Sequence, residues 1–275
     1  MPARFHSADA AAIARLARTL SAARVVDGAD ELERIHAAEP WRIRVNGRGD
    51  VAVLSRWRDH LPFLAIDALW CPVARMDGAL SDIRAVGSEH GFGDVISPPV
   101  PVEDMYAYEA GGMRPRTIVA TYQLDRPAEA AGRPVPAGVT LREADAADLL
   151  ALLGVDAQCF EPFWRYDARH LSRFLVSSRL AIAEHDGETL GYTLCTVGGS
   201  EGLLGRLCVA PEHRRAGIGS ALLSDAIRWV GEQGGRHVML STQTDNRASQ
   251  RLYRQAGFCN TGRRYAFLHF GREGA

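Results

Sequence analysis

The sequence predicts a mixed α/β fold with two domains in tandem, each a mixed sheet (α+β) flanked by helices. The length of 275 residues suits two domains, since a typical domain has about 100–150 residues. Residues 125–138 contain three prolines and two glycines, which predicts an extended linker between domains at 1–124 and 139–275. On both sides of this segment, apolar residues alternate between the helical period and the strand period.

The first domain is predicted to alternate helices with strands. Its predicted helices are Asp9–Ser21, Asp30–Ala38, Ala79–His90 and Asp104–Ala110. Its predicted strands are Trp41–Val45, Val51–Ser55, Leu64–Trp70, Asp94–Ser97 and Thr117–Leu124.

The second domain shows the same alternation with stronger periodicity. The predicted strands are Val139–Glu143, Leu180–Glu184, Thr189–Val197, Leu203–Val209, Val238–Thr242 and Tyr265–Phe270, and an Asp186-Gly187 turn joins the second to the third. The predicted helices are Ala146–Phe160, Asp167–Val176, Gly217–Glu232 and Asn246–Ala256. Simple alternation places Leu203, Leu207 and Val209 on one face of their strand.

A short internal repeat relates the two halves. Tyr108 and Tyr253 each stand four residues before a glycine, Gly112 or Gly257, that is predicted to end a helix. A strand follows in both places. The order of elements favours a duplication, although chance similarity between two helix ends remains the alternative.

Composition and charge exclude several classes of function. The chain has 33 acidic and 32 basic residues, and every basic residue is an arginine. The resulting formal net charge of −1 argues against a nucleic-acid-binding protein, which normally has a net positive charge. No apolar run approaches the roughly 20 residues that span a bilayer, and no signal-peptide pattern begins the chain. The five scattered cysteines predict neither a disulfide framework nor a metal site, so we expect a cytoplasmic protein. The oligomeric state is left open.

The strongest chemical signal is a glycine-rich turn between the strand Leu203–Val209 and the helix that follows. Arg214, Gly217 and Gly219 form the pattern R-x-x-G-x-G there. The first amides of a helix lack intrahelical partners and lie at the positive end of its dipole, and glycine lets an anion approach them closely. This favours a diphosphate site, although a helix start with tight glycine turns is the alternative. A Walker A loop requires a lysine, which the chain lacks. The dinucleotide fingerprint requires G-x-G-x-x-G, whereas the pattern here begins with Arg214.

A second segment, from Asn246 to Phe258, follows the strand Val238–Thr242. Together the two segments resemble the signatures V-x-P-x-x-R-x-x-G-x-G and N-x-x-A-x-x-x-Y-x-x-x-G-F of the GNAT superfamily of acyl-CoA-dependent N-acetyltransferases. The resemblance covers the second half of the chain and implies that acetyl-CoA is the acyl donor.

The resemblance also implies roles for individual residues. The backbone of Leu207, Cys208 and Val209 would bind the pantetheine arm, with the Leu207 N–H facing the thioester oxygen, and Asn246 and Tyr253 would contact the cofactor. The diphosphate would be held by the turn, which consists of Arg214, Arg215, Ala216, Gly217, Ile218, Gly219 and Ser220.

The chemistry that these roles predict is direct transfer to a primary amine in a ternary complex. The Leu207 N–H would stabilise the oxyanion, and Tyr253 would protonate the leaving thiolate, although a core tyrosine is the alternative. The general base is left unassigned: Leu203 stands where relatives often carry glutamate, Glu201 lies two residues earlier, and His213 precedes Arg214.

The acceptor would be a small amine or a peptide N-terminus. In the superfamily the connection that corresponds to Cys159–Tyr166 lines the acceptor site. Glu161 and Trp164 are therefore the candidate acceptor ligands. The alternative is that the aromatic residues of this segment, Trp164 among them, belong to the core. The first domain lacks the turn, with Leu80 at the last glycine position and Pro101 in place of Asn246, and is expected to be a degenerate domain of the same family. The alternative function is a non-catalytic acyl-CoA sensor or interaction module.

Overall fold

The computed structural model describes residues 4–22, 29–58 and 62–271. The chain forms two compact units. Unit 1 contains residues 1–118 and 265–275, and unit 2 contains residues 119–264. The C-terminal segment therefore belongs to the first unit, whereas the expected boundaries assigned it to the second.

Unit 1 is a sheet with helices along it. Its helices are α1 (Ala10–Ala22), α2 (Ala29–Ala38), α3 (Met76–Glu89) and α4 (Met105–Ala110). Its strands are β1 (His6–Ser7), β2 (Ile43–Val45), β3 (Val51–Arg56), β4 (Phe63–Trp70), β5 (Asp94–Ile96) and β6 (Val100–Pro101), and β7 (Arg114–Asp125) begins here and ends in unit 2. The first part of the predicted strand Trp41–Val45 is a 3₁₀ turn, Pro40–Arg42, which starts at the proline as the fixed φ of that residue favours.

Unit 2 has each helix and strand that the sequence predicted between residues 139 and 256, whereas its last strand begins at Cys259, six residues before the predicted start at Tyr265. Its strands are β8 (Thr140–Glu143), β9 (Arg179–His185), β10 (Glu188–Gly198), β11 (Glu201–Val209) and β12 (His237–Gln243), and β13 (Cys259–His269) begins here and ends in unit 1. Its helices are α5 (Leu149–Cys159), α6 (Ala168–Ser177), α7 (Ile218–Glu232) and α8 (Arg247–Gln255).

Both units contain a mixed sheet. In unit 1 the strand order is β1-β2-β3-β4-β5-β13, and in unit 2 it is β13-β7-β12-β11-β10-β9-β8. One parallel pair interrupts the antiparallel pairing in each unit, β4 with β5 and β11 with β12. The predicted α/β class with mixed sheets is confirmed.

The core of unit 2 lies on both faces of its sheet. Helices α7 and α8 pack on one face through residues such as Leu223, Ile227 and Tyr253. Helices α5 and α6 contribute to a different cluster, which contains Leu152 and Leu171. This arrangement leaves the carboxyl end of β11 between the two helix pairs, where the glycine-rich turn begins.

The segment 125–138, predicted as a linker, is packed against unit 2. Pro127–Glu129 form a 3₁₀ turn. The Arg133 N–H donates to the Ser224 hydroxyl on α7 at 2.9 Å. The Gly231 position on α7 is so close to Ala128 that an added Cβ would lie 2.8 Å from its nitrogen. The segment thus contacts α7 at several points, although most of its residues are exposed.

The two tyrosine–glycine helix ends have the same geometry. Met113 N–H donates to the Tyr108 carbonyl at 3.1 Å, and Phe258 N–H donates to the Tyr253 carbonyl at 3.0 Å. The intervening glycines have φ of +89° and +92°. This is the Schellman ending, which requires a left-handed residue and therefore selects glycine.

Among the described residues, no helix combines the length and the apolar character needed to cross a bilayer.

Candidate functional site

Strand β11 has an open backbone edge along its second half. Its described pairing with β12 stops at Leu203, whereas its pairing with β10 continues to Val209. The Ala210 N–H donates to the Leu190 carbonyl of β10 at 2.8 Å. Because donors alternate in direction along an antiparallel ladder, the N–H groups of Leu207 and Val209 point away from β10. Among the described pairings, β11 therefore parts from β12 after Leu203.

A β-bulge lies just before this edge. The register of β10 against β11 shifts by one residue, so that Gly205 is the extra residue of β11. Leu204 packs into the cluster of α7, and Leu207 packs against the same cluster. The expectation that Leu203 shares a face with Leu207 and Val209 is therefore wrong, because the bulge interrupts simple alternation.

The turn after β11 presents three backbone amides. Gly217 is the N-cap of α7 with φ +86°, which glycine adopts without strain, and no side chain caps the helix. The first intrahelical bond is from the Ala221 N–H to the Gly217 carbonyl at 3.0 Å. The amides of residues 218–220 precede it, and none of the hydrogen bonds described for this chain begins at them. Arg215 is also left-handed, with φ +69°, a conformation that is uncommon outside glycine.

The open edge and the amides border one cavity of about 880 Å³. Its walls come from the end of α5, the end of β11, the turn and α8. The lining residues are Cys159, Phe160, Leu207, Cys208, Val209, Arg214, Arg215, Gly217, Gly219, Ser220, Asn246, Arg247, Ala248, Ser249, Arg251, Leu252 and Gln255.

The cavity is positively charged. Four arginines line it, Arg214 and Arg215 from the turn and Arg247 and Arg251 from α8, and the described lining includes no carboxylate. Arg214 donates from Nε to the Val209 carbonyl at 3.0 Å, which fixes the turn against the strand end. Four cations beside three unpaired amides suit a polyanionic ligand such as a nucleotide diphosphate.

Helix α8 contributes one face to the cavity. The Asn246 Oδ1 accepts from the Ser249 N–H at 3.1 Å and so caps the helix, as its position in the sequence predicted. Arg247, Arg251 and Gln255 follow at helical spacing on the cavity side. Sequence reasoning did not select these three residues, although the i, i+4 spacing after the cap is a signal that could have found them.

Other predicted site residues lie outside the described lining. Ala216 is exposed, and the Ile218 side chain is buried below the turn, so that only its amide remains available. Glu161 is exposed and Trp164 is half-buried in the loop that follows α5. Tyr253 lies on the core side of α8, with 6% of its surface exposed.

The comparison with known proteins agrees with this geometry. The Acetyltransferase (GNAT) family model matches residues 147–258. An uncharacterized N-acetyltransferase of Bacillus subtilis strain 168, YhfO, is 31% identical over 134 residues, which are 44% of this chain and 89% of the relative. The chain belongs to the GNAT family. The turn, the α8 cap and the tyrosine–glycine helix end all lie within or at the border of the matched region.

Further relatives and solved structures are similar to parts of the chain or to most of it. The N-alpha-acetyltransferase MAK3 of Arabidopsis thaliana is 28% identical over 123 residues, which cover 43% of this chain and 64% of that protein. In structure, the chain is similar to a tandem GNAT protein from the clavulanic acid biosynthesis pathway, with a TM-score of 0.64, 18% identity and coverage of 84% and 82% of the two chains. The predicted tandem fold is thereby confirmed.

In this GNAT chain, Tyr253 lies on the core side of α8, whereas other residues of α8 line the cavity. Its ring packs near Tyr122 and Phe258, with ring centroids 6.4 and 5.9 Å away. Burial raises the pKa of Tyr253 to about 12, and a hydrogen bond with the Ser249 side chain opposes this rise. Ser249 stands where the family signature has alanine, and it lines the cavity. Ser249 is therefore the cavity-lining residue that influences the Tyr253 hydroxyl.

The residues considered for the general base lie outside the described lining of the cavity. Leu203 has 51% of its surface exposed, and Glu201 is exposed at the start of β11. His213 Nε2 lies 3.5 Å from a carboxylate oxygen of Glu188. Glu212, Glu188 and His213 place ligand atoms within 4.8 Å of one another. Such exposed groupings are common without an ion, so the expectation of no metal stays a prediction.

Unit 1 has a corresponding strand and helix without the amide-rich turn. Strand β4 carries a register shift against β3, as β11 does against β10. Between β4 and α3, however, the described residues include no left-handed position. Arg75 donates from Nε to Asp50 Oδ2 at 3.0 Å, and Asp50 is buried. Leu80 is fully buried in the core. The arginine at this turn is thus neutralised by an internal carboxylate.

Proposed function

We propose that unit 2 is an acetyl-CoA-dependent N-acetyltransferase that transfers the acetyl group to a primary amine by direct attack. The observation that carries this proposal is the convergence of two backbone features on one cavity. The open edge at Leu207 and Val209 and the helix start at Gly219 and Ser220 both border it, and four arginines line it. Family membership supports the same donor.

The binding roles follow from this arrangement. The amides of residues 218–220, with Arg214 and Arg215, would hold the diphosphate, since helix amides and guanidinium groups are strong anion donors. The N–H groups of Leu207 and Val209 would pair with the amide-bearing pantetheine arm as a neighbouring strand does. Asn246, whose Oδ1 caps α8, keeps its amide NH₂ available as a donor.

The donor supplies a thioester carbon and a thiolate leaving group. The Leu207 N–H faces the open edge and would donate to the oxyanion that forms when the amine attacks. The amine nitrogen bonds to the carbonyl carbon, the carbon–sulfur bond then breaks, and the thiolate takes up the proton that the amine releases. An attacking amine must be neutral, so the pH profile should follow the amine's own pKa.

Tyr253 would assist the departure of the thiolate. With a pKa of about 12, it stays protonated throughout the neutral range. A thiol has a pKa of about 8.5, so a phenol this weak would donate a hydrogen bond to the thiolate and keep its own proton. The proposed role is therefore charge stabilisation of the leaving sulfur through the hydroxyl beside Ser249.

A second function is favoured by one observation. The described cavity lining includes no carboxylate or histidine that could accept the amine proton. A protein that binds an acyl-CoA as a sensor or interaction module, without turnover, would need no such group. In that case the protein would bind acetyl-CoA and release no CoA.

The experiment that separates the two functions is a CoA-release assay with acetyl-CoA and a panel of acceptors. The panel contains small primary amines and short peptides with a free N-terminus, the class on which the similar N-alpha-acetyltransferase MAK3 acts by name. Turnover with any of them supports the enzyme. Binding of acetyl-CoA by calorimetry without release from the whole panel supports the sensor. Absence of binding contradicts both.

A cytoplasmic location, which the five free cysteines suit, stays a prediction.

A further inference from the structure

A buried ion pair joins α5 to β11 in unit 2. Asp156 has no exposed surface, and Arg206 has 7%. The Arg206 Nε and Nη2 atoms donate to Asp156 Oδ1 at 2.8 and 2.6 Å, and Nη2 also lies 2.8 Å from Oδ2. The Tyr192 hydroxyl donates to the same carboxylate at 2.5 Å. Sequence reasoning missed this pair, because charged residues are rarely expected in a core.

The pair also holds the α5–α6 loop, residues 160–166. Arg206 Nη2 donates to the Trp164 carbonyl at 2.7 Å, and the Tyr166 N–H donates to Asp156 Oδ2 at 2.9 Å. The guanidinium carbon lies 3.5 Å from the ring centroid of Phe160 and 4.1 Å from that of Tyr166. One arginine thus contacts the beginning, the middle and the end of this loop.

Stability alone does not account for such a pair. A buried ion pair loses hydration that its mutual attraction only partly replaces, and well-packed apolar residues of the same volume are often as stable or more so. What an apolar pair cannot supply is directed hydrogen bonds to the Trp164 carbonyl and the Tyr166 amide. The ion pair therefore defines the position of the loop backbone.

The loop lies next to the candidate site. Phe160, which Arg206 stacks on, lines the cavity. Leu207, which follows Arg206 in β11, lines it too and carries the proposed oxyanion donor. The bulge at Gly205 determines this arrangement, because it turns Arg206 toward α5 while Leu207 packs on the α7 side.

We propose that Arg206 is a positioning residue that fixes the α5–α6 loop against β11 and thereby sets the wall that receives the amine. It acts through Phe160 and Trp164 and does not itself touch the reacting atoms. The acceptor part of this inference rests on the proposed function. The anchoring part rests on the contacts alone.

The test compares Arg206→Lys with Tyr192→Phe in the full chain. Lysine retains the charge beside Asp156 but cannot bond the Trp164 carbonyl and stack on two rings simultaneously. Phenylalanine at 192 removes one hydrogen bond from Asp156 and leaves the hydrogen bonds described between the loop and the ion pair in place. Both variants weaken the buried network, so the second controls for a merely structural effect.

Hydrogen exchange measured by mass spectrometry reports on anchoring. In Arg206→Lys we expect exchange of the α5–α6 loop amides, including Tyr166, to become about tenfold faster, the factor for a loss of 1.4 kcal/mol. In Tyr192→Phe we expect the loop to exchange as in the wild type. Equal loop exchange in Arg206→Lys and the wild type overturns the proposal.

Steady-state kinetics report on the acceptor. With the fastest amine of the acceptor panel, Arg206→Lys should raise the KM for the amine about tenfold and change the KM for acetyl-CoA less than twofold. Tyr192→Phe should leave both unchanged. Parallel changes of both KM values in both variants overturn the positioning role. A wild type without turnover overturns the proposed function and the acceptor part with it, while the exchange result still decides the anchoring.

Discussion

Replacement of Gly219 with glutamate separates the stability of α7 from its ability to bind phosphate. Gly219 is the second residue of the helix and lines the cavity. A Cβ there would lie 3.6 Å from Val209 Cγ2 and 3.7 Å from Leu252 Cδ2, which is ordinary contact. Glutamate at this position gains about 0.5–1 kcal/mol of helix propensity over glycine, and its charge suits the helix N-terminus. The variant should therefore be at least as stable as the wild type.

The same carboxylate should abolish donor binding. At about 5 Å from a phosphate, with an effective dielectric constant of about 20, one unit charge repels another by about 3 kcal/mol. We expect the Kd for acetyl-CoA to rise at least about 100-fold. Calorimetric titration with acetyl-CoA measures the Kd, and thermal unfolding measures the stability.

Glutamine at the same position is the matched control. Gly219→Gln has nearly the same shape without the charge, so it should weaken binding much less than Gly219→Glu. Equal Kd values for Gly219→Glu and the wild type would refute the placement of the diphosphate at this helix start. Equal losses in the two variants would show that bulk, and not charge, blocks the site.

Three further predictions concern other parts of the molecule. Tyr253→Phe should lower kcat about 10- to 100-fold, because it removes one hydrogen bond to a charged atom, and it should leave the Kd for acetyl-CoA unchanged. Burial raises the pKa of Tyr253 and of Tyr108 to about 12. The free energy of unfolding, measured by urea titration, should therefore keep the contribution of these groups below about pH 10 and lose it as the pH rises toward about 12. Replacing both Arg247 and Arg251 with alanine should weaken acetyl-CoA binding about tenfold at low salt and less at high salt, as screening predicts for exposed charges.

Each of these has a control. A Tyr253→Phe enzyme with wild-type kcat would contradict the role at the leaving sulfur, and the same variant should lose less stability above pH 10 than the wild type. Arg254→Ala is the control for the two arginines, because Arg254 lies on α8 outside the described lining. A salt-independent loss of affinity in the double variant would indicate a packing defect.

The number of acetyl-CoA molecules bound per chain tests the prediction that unit 1 does not bind the donor. Because Arg75 is paired with buried Asp50 and the turn has no left-handed position, we expect one acetyl-CoA per chain in calorimetry. Asp50→Asn should lower the free energy of unfolding by about 1–3 kcal/mol and leave the Kd for acetyl-CoA unchanged. Two donor molecules per chain would contradict the prediction of a degenerate first domain.

Most elements could be predicted from the sequence because their signals are local. The apolar period of α7, the Asn246 cap and Gly257 after α8 each determine structure within a few residues. The same locality explains why the turn of the candidate site was found. Its chemistry depends on glycines and an arginine that are adjacent in the chain.

What sequence reasoning missed depends on residues far apart. The bulge at Gly205 is defined by register against β10, and the glycine within the strand pattern is a local signal that the simple alternation passed over. The partner of Arg206 lies fifty residues away on α5. The burial of Tyr253, which makes it a weaker acid than a free phenol, is produced by the core around it, including Tyr122 of β7.

The assignment of β13 to both units has a consequence for how the polypeptide is made. Ala266, Leu268 and Phe270 belong to the core of unit 1, yet they leave the ribosome after most of unit 2. Residues 119–264 emerge before them. The core of unit 1 therefore remains incomplete until residues 119–264 have been synthesised, and a nascent chain stopped at residue 124 would expose the apolar surface that the missing strand should cover.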